Sequence, residues 1–346
     1  MIRTDRAIAE WSFSDAFQHI FVLWHSSAGT PYIRRRWCGM PRLTPGITNC
    51  CFYLYKTVAD AKAGAPFGGT GFLVSVPYKA SPTYLHTIGV TNWHVAVRDG
   101  YSIARVNTLD GNTDIIELDP SEWIFKPSWH DIAIACLPLS DKKHDVRTVD
   151  ATLFITKGEF DKLEIGPGED VFMVGRFVDH DGHATNMPAV RFGNISAMPT
   201  AGIVQPTMSK LESYVLDMHS RTGYSGSPVF VYRTFGSHFW QNGKLLAPEP
   251  HQFVRLLGIH WGQFPEKWKI SPRGRVKAES AKAKRERRFI GEAEIDGLSG
   301  MTCAVPCWAL TELLENPEMQ KMMGVVEDRN RDEIAEAELS PNAENA

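Results

Sequence analysis

Three short segments carry residue types that can cooperate in acyl transfer. Thr91-Asn92-Trp93-His94-Val95 ends an apolar run on a histidine, and His130-Asp131-Ile132-Ala133-Ile134 opens another on an aspartate. Gly223-Tyr224-Ser225-Gly226-Ser227-Pro228 sets a serine between glycines, ahead of the apolar run Val229–Tyr232. Asp131 follows His94 by 37 residues and Ser225 follows Asp131 by 94. A serine hydroxyl is a weak nucleophile at neutral pH and needs a base beside it. Histidine, which ordinarily titrates near pH ~6.5, can take that proton and return it to a leaving amine. A carboxylate behind the imidazole fixes its tautomer and steadies the imidazolium. The glycines let the backbone bend so that the amides of Gly223 and Ser225 point into one oxyanion hole. A lone histidine is ordinarily a core or surface residue; the aspartate and serine that follow in this order lift His94 above that reading.

The elements that must position these residues read as short strands. Segments rich in β-branched and aromatic residues recur at Ile47–Tyr55, Thr70–Val76, Tyr84–Thr91, Ile132–Leu137, Val171–Val178, Ala189–Ser196, Tyr214–Met218, Pro228–Tyr232, Val254–His260 and Met301–Val305. Gly, Pro, Asn and Asp separate them, as in a sandwich or barrel. Helical periodicity emerges only at Cys307–Met323, through Trp308, Leu310, Leu313, Leu314, Met319, Met322 and Met323, with Pro317 breaking it after Asn316. A polar tail to Ala346 is expected to fray.

Length sets a prior of about two domains for the 346 residues. The chain is 43% apolar and 22% charged, which excludes wholesale disorder. Its net charge of −3 excludes a global attraction to nucleic acid or membrane. The longest apolar run near the start, Ile20–Trp24, is far short of the ~18 residues a span needs and lacks the pattern of a secretory signal. A cytoplasmic protein that does not bind membranes is expected. The six cysteines, Cys38, Cys50, Cys51, Cys136, Cys303 and Cys307, form no pair of facing CxxC motifs, so they read as buried thiols and not as a zinc site. Asp179-His180-Asp181-Gly182-His183 reads as a polar hairpin tip in preference to a metal cluster.

Together GTGFL (Gly69–Leu73), TNWHV, DIAI, GYSGSPVF and LLGIHWG (Leu256–Gly262) resemble the trypsin/chymotrypsin-like serine peptidases, most nearly the bacterial branch that includes the glutamyl endopeptidases. The match runs in order over roughly residues 45–315. The resemblance implies an all-β fold of two six-stranded barrels with the site in the cleft between them, and no metal or cofactor. His94 and Asp131 would come from the first barrel and Ser225 from the second. It places Ser220 and His219 on the near wall of the primary specificity pocket, and His260 with Trp261 and Gly262 on the far strand. A trypsin-type pocket needs a carboxylate at its base, and His219 stands there instead. In glutamyl endopeptidases a histidine of GIHWG and a nearby hydroxyl meet the substrate carboxylate; His260 and Ser220 match that pair. Cleavage after Glu, with Gln or Asp next, is the expectation. Two residues depart from the pattern. Tyr224 replaces the usual Asp or Asn before the nucleophile, which removes the partner of a newly cut N-terminus, and Trp93 replaces a small residue.

The expected organisation is an N-terminal extension at 1–45, a first barrel at 46–150, a second at 151–306 with a basic insertion around 263–298, and a C-terminal helix and tail at 307–346. Thr234–Pro250 reads as a long hairpin or loop. Arg273–Arg288 holds eight basic and two acidic residues, net +6. A solvated loop is its ordinary reading; an acidic partner or nucleic acid is the alternative. The functional reading is a serine endopeptidase acting on protein or peptide. The rival is an inactive fold of the same kind serving as a protein- or nucleic-acid-binding sensor.

Overall fold

The structure is a computed structural model that describes residues 2–3, 43, 45–145, 147–180, 182, 185–200, 202–233, 239–241, 244–246, 253–269 and 294–339. The first sheet takes its main strands from Cys51–Tyr55, Gly69–Pro77, Tyr84–Thr91, Ile103–Asn107, Thr113–Glu117 and Ala133–Cys136; Ile2–Arg3 and Val149–Asp150 add two short ones. It curls into a half-barrel. The second sheet closes as a ring, in the order Ala189–Ala197, Tyr214–Asp217, Glu294–Pro306, Phe253–Lys269, Pro228–Arg233 and Asp170–Gly175. This is the double β-barrel of the chymotrypsin-like fold, with the second barrel fully closed.

Strands buried on both faces explain why so many segments read as unbroken apolar runs. All six residues of Pro228–Arg233 are buried, and Phe230 stacks on Phe172 with ring centroids 5.0 Å apart. One apolar cluster spans both sheets, joining Cys51, Phe72 and Val90 to Phe172, Phe230 and Leu256. The two barrels therefore share core, which fixes them against each other.

Every strand expected from sequence is present, although Ile47 lies in the helical turn Pro45–Thr48 that precedes its strand. Two main strands of the first sheet were not expected, Ile103–Asn107 and Thr113–Glu117, whose mixed polarity follows from lying toward the open edge of the sheet, nor were the short strands Ile2–Arg3, Val149–Asp150, Gly202–Val204 and Lys210–Glu212. The helix Val58–Ala63 was also missed, despite an N-cap in which Thr57 Oγ1 accepts from the Asp60 amide and a left-handed Gly64 at its end. Phe239–Gln241 pairs with Lys244–Leu246 as the hairpin expected within 234–250.

At the C-terminus, Cys307–Leu314 is helical and a second helix starts at Pro317. Proline suits the first helical turn, so it ends one helix and opens the next. The second helix runs to Leu339, well into the segment expected to fray. It is held to the first barrel: Glu327 accepts from the Lys79 amide and lies 2.9 Å from His86 Nε2, and Asn330 donates to the Tyr78 hydroxyl. No helix among the described residues is long and apolar enough to cross a membrane. The thiols of Cys50, Cys51, Cys136, Cys303 and Cys307 are free; Cys38, the basic segment Arg273–Arg288 and the last seven residues lie outside the described residues.

Candidate active site

His94 follows the strand Tyr84–Thr91 and begins a wide turn in which the Asp99 amide donates to the His94 carbonyl five residues back. Val95 and Ala96 are buried and anchor this turn in the first-barrel core. Asp131 lies just before the strand Ala133–Cys136 and is completely buried. The two meet through two bonds: His94 Nδ1 lies 2.6 Å from Asp131 Oδ2, and the His94 amide donates to Oδ1 at 2.9 Å. A carboxylate acceptor settles the proton on Nδ1 and leaves Nε2 as the free base. The Asn92 side chain donates to the Asp131 carbonyl at 2.7 Å, so TNWHV carries a clamp for the aspartate as well as the histidine.

A further clamp was not foreseen. Gln205, in the hairpin formed by Gly202–Val204 and Lys210–Glu212, accepts from the Asp131 amide at 2.8 Å. Its Nε2 faces His130 Nδ1 at 3.1 Å and Ser213 Oγ at 3.0 Å. Ser213 in turn accepts from Trp261 Nε1 at 3.2 Å. Burial lowers His130 to about 4, so its ring is neutral and can accept from the amide. A lone glutamine between two short strands carries no sequence signal for this role; Asp131 and His130 lie 74 and 75 residues away from it along the chain.

Ser225 sits on the turn before Pro228–Arg233 and is partly exposed. The turn is stitched to both barrels. The Ser225 carbonyl accepts from the Thr70 amide at 2.9 Å, and the Gly226 amide donates to the His260 carbonyl at 2.9 Å. Gly226 has φ +87°, and a Cβ there would fall 2.0 Å from the Thr70 carbonyl oxygen, so only glycine fits. Gly223 has φ +100°. Among the described residues, the amides of Tyr224, Gly226 and Ser227 donate to backbone carbonyls, whereas those of Gly223 and Ser225 donate to none. The Tyr224 side chain is fully buried in the second-barrel core, with the Arg191 guanidinium 5.6 Å from its ring centroid. No hydrogen bond joins the His94 ring to the Ser225 hydroxyl among the described residues.

His260 lies in the strand Phe253–Lys269, 2% exposed. Its Nδ1 is 3.0 Å from the Cys303 carbonyl and its Nε2 is 2.7 Å from Ser220 Oγ. A carbonyl can only accept, so Nδ1 carries the proton and Nε2 accepts from the hydroxyl. Burial pushes the ring down to about 4, against the Cys303 bond and reinforced by the charge of His94. Ser220 is buried, His219 is exposed with its ring 3.2 Å from the Cβ position of Gly300, and Trp261 and Gly262 are half-buried.

No protein-family model matches the chain, and no curated protein matches it. Among solved structures it is similar to the MamO protease domain from Magnetospirillum magneticum in its apo form, at 14% identity over 78% of this chain and 98% of that one, TM-score 0.39. It is also similar to Deg5, at 14% identity over 62% and 79% of the two chains, TM-score 0.36. A third is the HtrA-type protease AlgW with decapeptide, at 14% identity over 78% and 65%, TM-score 0.39. At these identities the chemistry of the site rests on its own geometry.

Proposed function

We propose that this protein is a serine endopeptidase in which Ser225 attacks the scissile carbonyl and forms an acyl-enzyme. His94 Nε2 takes the serine proton and delivers it to the leaving amine; the new Ser225–carbonyl bond replaces the broken C–N bond, and water then reverses the roles to release the acid. Asp131 holds the imidazole and balances its transient charge. The Gly223 and Ser225 amides receive the oxyanion. The observation that carries this reading is the double hold of Asp131 on His94, by ring and by amide, on a fully buried carboxylate. The two unengaged amides flanking Tyr224 support it, and the burial of Tyr224 keeps its side chain out of the hole. Apo sites commonly show looser catalytic contacts than the substrate complex, so the unmade bond between His94 and Ser225 is compatible with this chemistry.

The pocket favours an acidic or amide side chain ahead of the cleaved bond. Ser220 and neutral His260 offer hydroxyl and imidazole groups, and the described wall presents no carboxylate that would select Lys or Arg. Because Nε2 has no proton in the resting ring, a Glu side chain must bring one with it, while Gln pairs with the hydroxyl without that step. A fluorophosphonate probe tests the reaction: wild type is expected to be labelled and Ser225→Ala not. Absence of label on wild type would overturn the peptidase reading in favour of an inert binding scaffold.

A further inference from the structure

We propose that Thr70 is a positioning residue that holds the peptide between the two oxyanion-hole amides, an inference that rests on the serine-peptidase reading above. Its hydroxyl donates to the Gly223 carbonyl at 2.7 Å and accepts from the Arg176 amide at 2.9 Å. Its own amide donates to the Ser225 carbonyl at 2.9 Å, and its carbonyl accepts from the Thr91 hydroxyl at 2.7 Å. The residue is completely buried. One side chain and its peptide groups thus touch both residues that supply the hole, and the strand that leads to His94.

The direction of the hydroxyl is determined. An amide N–H can only donate, so the Arg176 contact occupies a lone pair and leaves the hydroxyl proton for Gly223. Arg176 is itself fixed across the barrels, its guanidinium donating to the Phe67 carbonyl at 2.8 Å and the Ala65 carbonyl at 2.5 Å. The Gly223–Tyr224 peptide lies between the Gly223 and Ser225 amides, so its orientation sets their relative aim. Glycine at φ +100° offers little steric resistance to rotation of that peptide. The Thr70 hydroxyl supplies the restraint on one face, and the Tyr224 amide, donating to the Arg221 carbonyl, supplies it on the other.

Thr70→Val keeps the shape and removes the hydroxyl; Thr70→Ser keeps the hydroxyl. After circular dichroism and thermal unfolding establish that each is folded, kcat and KM on one cleaved peptide are compared with affinity for a peptide aldehyde, which forms a tetrahedral adduct, and for the product peptide. Thr70→Val is expected to lose kcat about 10- to 100-fold, the scale of small misplacements in a reacting site. KM and product affinity should stay within about twofold, aldehyde affinity should fall with kcat, and Thr70→Ser should stay near wild type. Thr70→Ala replaces the valine variant should that one fail to fold. Unchanged kcat and aldehyde affinity, equal losses for aldehyde and product, or a serine variant as impaired as valine would each overturn the role of Thr70 while leaving the peptidase intact. A wild type inert to both probe and peptide would overturn both.

Discussion

His94 and His260 come from different barrels yet lie within electrostatic reach of each other, and their partners set them different tasks. His94 has a buried carboxylate at 2.6 Å and keeps 12% of its side chain open to solvent. Among the described residues His260 has no acid hydrogen-bonded to it; a carbonyl and a hydroxyl occupy its two nitrogens, and burial drives it to about 4. A carboxylate behind the ring favours the imidazolium that must form when a proton leaves serine. A carbonyl and a hydroxyl favour a neutral ring of fixed tautomer, which is of little use for shuttling protons but suited to reading a substrate group that brings a proton with it. On the proposed function, the same residue type serves as a base or a sensor according to what stands behind Nδ1.

Removing the carboxylate should produce the largest effect. Asp131→Asn keeps the size but loses the charge and the tautomer control, and kcat is expected to fall by about 10⁴, as in the template triad. Hydrolysis of a fluorogenic peptide by the folded variant checks this; a loss below about tenfold would erase the contrast with His260. The next effect sharpens the role of His260. With matched peptides ending in Glu or Gln before the cleaved bond, the ratio of kcat/KM for Glu over Gln should rise as pH falls from 8 to 5, by at most about tenfold per unit. Taking the ratio cancels every pH effect that both substrates share. His260→Leu should flatten the ratio; a flat ratio in wild type would remove His260 from charge recognition.

The smallest effect is on stability. His260 titrates at about 4 when folded and near its ordinary 6.5 when unfolded, so between those values the unfolded chain binds the additional proton. The contribution of this neutral ring is therefore complete above about pH 6.5 and declines as pH falls toward 4. His130, also at about 4, and His86, likewise lowered by burial, act in the same direction. Urea unfolding midpoints at pH 7 and 5 should show the loss, with a shallower decline in His260→Leu.

The placement of the groups proposed to react was readable from local sequence because they sit at chain positions that local geometry defines. His94 ends a strand, Asp131 precedes one, and Ser225 lies in a glycine turn whose left-handed positions no other residue tolerates. Ser220 with His260 followed from register against a familiar motif. What stayed hidden was the supporting layer. Gln205 reaches Asp131 across 74 residues and Thr70 reaches Gly223 across 153. Neither contact leaves a periodicity, because each depends on how the two sheets meet. The extent of the final helix was hidden for a similar reason: its polar outer residues read as a tail, whereas contacts with Tyr78, Lys79 and His86 on the other barrel give it a surface to lie on.

That last helix also closes a circuit. The chain leaves the second barrel at Pro306, turns at Asn316 and docks on the outer hairpin of the first. This strap adds to the shared core and to the hydrogen bonds that Thr70, Arg176 and Asp131 make between the barrels, so opening them like a book requires the strap to detach as well. The last helix thus ties the end of the second barrel to the outer hairpin of the first through Glu327 and Asn330.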